Sequence, residues 1–222
     1  MKYDERKNVD LESTGLRQKP GTDGVEYPFH MTSILDKLYP GYEWEMDKGI
    51  PIGNGKCYHK PCNVRSIYKP DFRNDELKII IEIDGAGGKY ADHFSDPEKC
   101  ETDIEKMELY RRLGYKAVFI PMYIQLDEEM IKYYFDIDYH EKLYPAADCH
   151  GFLHPDIALP ASFCPAGIRR FKREMDVIPR NVRKKVVDTL RTRIQQYIDE
   201  GYEPEDAKRK VILPSLDYLL EE

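Results

Sequence analysis

No apolar run in this chain approaches the roughly 18 residues that a membrane-spanning helix needs, and its opening, Met1-Lys2-Tyr3-Asp4-Glu5-Arg6-Lys7, lacks the apolar stretch of a secretory signal. Both absences point to a protein of the cytoplasm with no membrane partner. Regularly spaced cysteines are also missing. Cys57, Cys62, Cys100, Cys149 and Cys164 form an odd set without the spacing of a disulfide framework, as expected of a reducing, intracellular compartment. No internal repeat or low-complexity tract is present. Gly85-Ala86-Gly87-Gly88 has neither the spacing of a dinucleotide fingerprint nor the Lys-Ser/Thr of a P-loop, so its glycines read as a place where backbone approaches a substrate. A cysteine nucleophile is set aside, because the adjacency of Cys149 and His150 is no evidence of a catalytic pair. Cys57, His59 and Cys62, with His93 or Cys100 as a fourth ligand, would make a structural Zn²⁺ site. Their Cys-x-His-x-x-Cys spacing fits no standard finger, and unrelated loop residues are the preferred reading. Cys149, His150 and His154 are a looser cluster still.

What is present suffices for one well-buried core. Of 222 residues, 41% are hydrophobic and 34% charged, with the apolar ones in short runs such as Lys78-Ile79-Ile80-Ile81. The net charge of −7 argues against a protein that coats nucleic acid, yet between Pro165 and Gln195 ten Lys/Arg face three Asp/Glu. Carboxylates in one region and cations in another suit an enzyme that needs a metal site and a grip on phosphates.

The order of elements predicts an α/β fold, a mixed central sheet flanked by helices with a helical C-terminal extension. Residues 1–24 read as a flexible arm, 25–126 as the core, 127–164 as an irregular connection and 165–222 as a basic helical extension. Phe29, Ile34, Leu35 and Leu38 fit one face of a first helix closed by Pro40-Gly41, and 42–46 alternates as a strand would. Tyr68 to Arg73, a turn at 74–76 and a strand over 77–84 make a hairpin. A helix over 98–113, with Cys100, Ile104, Met107 and Leu113 as its buried stripe and Gly114 at its end, leads to an apolar strand over 115–120. Strand, crossover helix and strand in this order imply a parallel pair. Val186, Leu190, Ile194 and Ile198 mark a long amphipathic helix between Pro179 and Gly201, and Pro204 opens a last helical piece.

Along the strand that ends at Asp84, alternation sends Ile79, Ile81 and Ile83 one way and Glu82 with Asp84 the other. Two acids side by side raise one another's pKa, and a divalent cation relieves the repulsion. Asp71, on the neighbouring hairpin strand, can complete an all-oxygen site of the type that suits Mg²⁺ or Mn²⁺. The competing view makes Asp71 a turn residue and the other two a solvated strand face.

Pro70-Asp71, ten residues, then Glu82-Ile83-Asp84 resembles the signature of PD-(D/E)xK nucleases, with Asp84 where the usual lysine stands. The stretch from Pro70 to Pro121, about a quarter of the chain, is similar to very-short-patch-repair endonucleases and their uncharacterised relatives. In these a hydrophobic strand ends in Glu-x-Asp-Gly, followed by a loop, a helix bearing a basic residue and a Gly-Tyr strand; here Glu82-Ile83-Asp84-Gly85, Asp103, Lys106 and Gly114-Tyr115 occupy those places. Many relatives carry a histidine soon after Asp-Gly, whereas here Gly88 and Lys89 stand there and His93 comes later. The resemblance implies a metal-dependent endonuclease, acting on DNA in preference to RNA, with Asp71, Glu82, Asp84 and Lys106 catalytic. Asp71, Glu82 and the Ile83 carbonyl would bind the metal, and Asp84 would complete its shell or orient the attacking water. The helper cation is open between Lys89, Lys106 and Lys69, and a further acid on the first helix between Glu26 and Asp36. Lys89, Arg169, Arg170, Lys172, Arg173, Arg183, Lys184 and Lys185 are the cations expected to contact phosphate, against a reading as the solvated face of a helix bundle. A homodimer would let two sites cut two strands. The rival function is a nuclease-fold module that binds nucleic acid or a protein and has lost catalysis, a reading the absent lysine favours.

Overall fold

Asn74 organises the turn on which the sheet is built. Its side chain accepts from the Leu77 N–H at 2.7 Å and donates to the Glu43 carbonyl at 2.9 Å, tying the turn to the segment before the sheet. Lys78 takes the left-handed conformation, φ 54°, that reverses the chain. The computed structural model describes residues 31, 34–46, 48–50, 68–84, 93–121, 123, 124, 126, 128–140 and 159–221. Four strands lie in sequence order: β1 (Glu45–Met46), β2 (Phe72–Asn74), β3 (Ile79–Asp84) and β4 (Lys116–Pro121). The first three are antiparallel, and β4 runs parallel to β3. The protein is thus mixed α/β, a four-stranded mixed sheet flanked by helices.

Helix α1 (Pro97–Arg112) makes the crossover between β3 and β4. Asp96 caps it by accepting from the Glu98 N–H at 2.9 Å, Pro97 presets its first turn, and Gly114 at φ 83° lets the chain leave it. Its inward face differs from the apolar stripe expected. Cys100, Asp103, Leu109 and Tyr110 are buried, while Ile104 is 51% and Leu113 37% exposed. The polar end of β3 lies beneath α1, so the face carrying Asp103, Lys106 and Tyr110, at spacings of three and four, turns inward.

The two faces of β3 feed different cores, as its alternation predicts. Ile80 packs with Ile50, Tyr110 and Phe119 under α1. Ile79 and Ile81 join a larger cluster with Phe72, Val118, Ile120, Ile34 and Leu35. Residues 34–38 are helical and end in Gly41 at φ 86°. The stretch read as irregular holds a short helix, α2 (Glu128–Phe135), that buries Met130, Ile131 and Phe135. Eight residues are too few for periodicity to distinguish helix from loop.

After a 3₁₀ turn at Pro160–Ser162 come α3 (Pro165–Val177), α4 (Arg180–Asp199), α5 (Pro204–Val211) and a 3₁₀ segment at Pro214–Glu221. These helices share the sheet's core, since Phe171, Met175, Val186, Leu190, Leu216 and Leu219 belong to the larger cluster. The start of α3 touches backbone: a Cβ added at Gly167 would lie 1.7 Å from the Phe94 carbonyl oxygen, so glycine permits an approach that brings α3 to the end of β3. Among the described residues no helix is long and apolar enough to cross a membrane.

Candidate functional site

Glu82 and Asp84 reach the same side of β3 and are 5% and 1% exposed, well below what solvated acids on a sheet face would show. Each has cationic or hydroxyl partners from α1 or beyond. The Tyr110 hydroxyl donates to Glu82 Oε1 at 2.5 Å, and Lys106 Nζ lies 3.6 Å from the same oxygen and 5.9 Å from the centre of the Tyr68 ring. Burial, reinforced by the charges of Asp71 and Asp84, pushes the Glu82 carboxyl up to about 8 against the pull of Lys106 and the Tyr110 hydrogen bond. Lys106 is itself pulled down by burial, but the surrounding carboxylates outweigh that and raise it, so it stays charged. Tyr110 is raised by burial and by Glu82, which keeps it a hydroxyl donor.

Asp71 is held by backbone, its Oδ2 accepting from the Ile83 N–H at 2.6 Å. This bond joins the two hairpin strands where the ladder Phe72 to Ile81 ends. It places Asp71 beside Glu82, as the charge of Asp71 acting on that carboxyl reflects.

At Asp84 a second group converges from three parts of the chain. His93 Nδ1 is 2.6 Å from Asp103 Oδ2 and 3.5 Å from Asp84 Oδ1. Arg170, on α3, ion-pairs with Asp84 Oδ2, donates to Asp103 Oδ2 at 3.1 Å and to Glu174 Oε1 at 2.9 Å, and lays its guanidinium 4.5 Å from the centre of the Phe94 ring. The Tyr123 hydroxyl donates to the other oxygen of Glu174. Burial lowers His93, yet the hydrogen bond to Asp103 and the charges of Asp84 and Asp103 more than offset it, and the imidazole is raised. Glu174 is raised well above the usual carboxylate range by burial first and Asp84 second. Beneath this group, burial next to Cys164 raises the Cys100 thiol.

Among the described residues, Asp84, His93 and Asp103 offer ligand atoms within 4.8 Å of one another and can hold a metal ion. The set mixes one imidazole with two carboxylates, where the sequence pointed to oxygens alone. Asp71 and Glu82, expected as ligands, lie outside this group: Asp71 accepts from the Ile83 N–H, and Glu82 is met by Tyr110 and Lys106.

The remaining expected residues divide. Of the three candidate helper cations, Lys106 is at Glu82, Lys69 is exposed, and Lys89 lies outside the described residues, as do Glu26, Cys57, His59, Cys62, Cys149, His150 and His154. Asp36 is exposed on its helical segment. Of the expected phosphate contacts, Arg169, Arg173, Lys184 and Lys185 are exposed. Lys172 lies over the Tyr218 ring at 5.5 Å and Arg183 donates to the Met175 carbonyl at 3.2 Å. Arg170 points inward, because two buried carboxylates offer it charge-assisted hydrogen bonds. Tyr110 and Glu174 were not expected in the site, and Arg170 was expected only as a phosphate contact. The spacing Asp103, Lys106, Tyr110 on one helical face was a readable signal for the first. Nothing local announces the other two.

No family model, curated protein or solved structure matches the chain.

Proposed function

We propose that the protein is a metal-dependent phosphodiesterase, an endonuclease of the PD-(D/E)xK kind that acts on DNA. The observation that carries this reading is the convergence of Glu82 and Asp84 with Asp71, Lys106, His93 and Asp103 at the carboxyl end of β3, beside its parallel neighbour β4. Clefts at the carboxyl ends of parallel strands are where α/β proteins place their sites, and the resemblance of Pro70-Asp71 and Glu82-Ile83-Asp84 to the nuclease signature adds to it.

Asp84, His93 and Asp103 would hold the cation, a set that suits Mn²⁺ as well as Mg²⁺ and by donor type also accepts Zn²⁺. A bound divalent ion supplies a water of lowered pKa and stabilises charge on the phosphate. The chain's own groups divide the rest of the work. Lys106 keeps a positive charge beside Glu82, whose carboxyl is pushed upward by burial, a pairing suited to charge appearing on a leaving oxygen. Asp103 fixes the His93 ring through Nδ1. Arg169, Arg173 and Lys184, exposed on α3 and α4, are available to phosphates along the backbone of a nucleic acid.

A second reading, a nucleic-acid-binding module without hydrolysis, draws support from Arg170, which already neutralises Asp84 and Asp103 without a metal. Incubation of supercoiled plasmid and single-stranded DNA with Mg²⁺, Mn²⁺ or EDTA, beside Glu82→Ala, separates the two. Nicking that needs metal and disappears in the variant supports hydrolysis. Binding without nicking in any metal supports the module.

A further inference from the structure

We propose that Cys100 and Cys164 are a peroxide-sensitive thiol pair whose intramolecular disulfide clamps α1 to α3 beside the candidate site. Their sulfurs are 3.9 Å apart, and both are free thiols. Closing that gap to the roughly 2.05 Å of a disulfide asks for side-chain rotation between two elements already in contact. The sequence suggested no such pair, since 63 residues separate the two cysteines.

The surroundings of each sulfur assign its part. Cys164 is half-buried at the N-cap of α3, where its Sγ accepts from the Gly167 N–H at 3.4 Å, and it is the more accessible of the two residues, which makes it the first target of an oxidant. Cys100 is buried on α1, and its thiol donates to the His93 carbonyl at 3.1 Å. The Cys164 N–H donates to the Phe94 carbonyl at 3.0 Å, so both cysteines also hold the segment that carries His93.

The oxidant is a hydroperoxide, here hydrogen peroxide. The Cys164 sulfur attacks one peroxide oxygen, the O–O bond breaks, and one water leaves, giving a sulfenic acid on Cys164 with sulfur oxidised by two electrons and peroxide reduced by two. The Cys100 sulfur then attacks Cys164 Sγ and the S–O bond breaks. The Cys100 proton departs with the hydroxyl as a second water, and the S–S bond forms. Two thiols and one hydrogen peroxide yield one disulfide and two waters. The product ties the helix of Asp103, Lys106 and Tyr110 to the helix of Arg170 and Glu174, and it removes the thiol donor from the His93 carbonyl. Formation of the bond does not rest on the proposed hydrolytic function.

The test is to treat the full-length, dithiothreitol-reduced protein with hydrogen peroxide, block remaining thiols, digest without reductant and map linked peptides by mass spectrometry. A Cys100–Cys164 peptide pair is expected, with a thermal midpoint higher by about 5 °C or more, both reversed by dithiothreitol. Cys100→Ser should stop at a sulfenic acid on Cys164 that dimedone captures, and Cys164→Ser should form no link to Cys100. Cys100 and Cys164 recovered separately in the wild type, or Cys164 linked to a different cysteine, would overturn the proposal whether or not the protein cuts DNA.

Discussion

Arg170 reaches Asp84 across 86 residues of sequence, and the ion pair they form is buried where α3 meets the end of β3. Truncating one member of a buried pair removes the main counter-charge of the other, at about 3–5 kcal/mol. Arg170→Ala should therefore lower the unfolding free energy of EDTA-treated protein by that amount in a urea titration, and Mn²⁺ should restore part of it by neutralising Asp84 and Asp103. An unchanged midpoint in EDTA would mean that the pair carries no stability.

Lys106 lies 3.6 Å from the Glu82 carboxyl, and removing it should cost catalysis more than folding. Lys106→Met, which keeps the length of the side chain, is expected to reduce plasmid nicking by about 10²-fold or more, with a thermal midpoint close to wild type. Equal nicking rates would remove Lys106 from the helper role and leave it to another cation.

Gly167→Ala reverses an ordinary sign. Within a helix the change usually stabilises by about 0.5–1 kcal/mol, but here the new methyl would meet the Phe94 carbonyl oxygen at 1.7 Å. The helix must move, which costs about 1–3 kcal/mol and draws Arg170 away from Asp84. A stabilised variant in calorimetry would refute the close approach.

Burial of the Glu82 carboxyl makes stability fall as pH rises. Glu82 rises from an ordinary 4.5 to about 8, so the folded state binds its proton more tightly than the unfolded chain does. Its contribution is complete below about 4.5 and is lost as pH rises towards 8. In EDTA, the thermal midpoint of the wild type should fall between pH 5 and 8.5 more steeply than that of Glu82→Gln, which cannot ionise. Parallel curves would show that Glu82 does not hold its proton.

Much of this architecture is written locally. The run Ile79-Ile80-Ile81 with Glu82 and Asp84 in alternation announces a strand with two unlike faces, and Asn74 with the hairpin spacing brings Asp71 to it. Gly114 and Pro97 mark the ends of α1. The phase of α1 was less legible, because an apolar-stripe rule credits Ile104 and cannot foresee that Asp103 is buried by partners distant in sequence. Arg170 stands on a charged helix and reads from sequence as a phosphate contact or part of a solvated face, with nothing to single out Glu174 four residues on. Only the packing of Phe171 and Met175 into the core turns that helix so that Arg170 meets Asp84.

On the proposed function, a divalent cation held at Asp84, His93 and Asp103 supports hydrolysis at the end of β3. The most direct measurement is Mn²⁺ titration by calorimetry of EDTA-stripped wild type, Asp84→Asn and Asp103→Asn, with plasmid nicking followed on the same samples. One bound ion in the wild type, at least about tenfold weaker in each variant and paralleled by loss of nicking, is the predicted result. Mn²⁺ affinity and nicking that survive in both variants would contradict it.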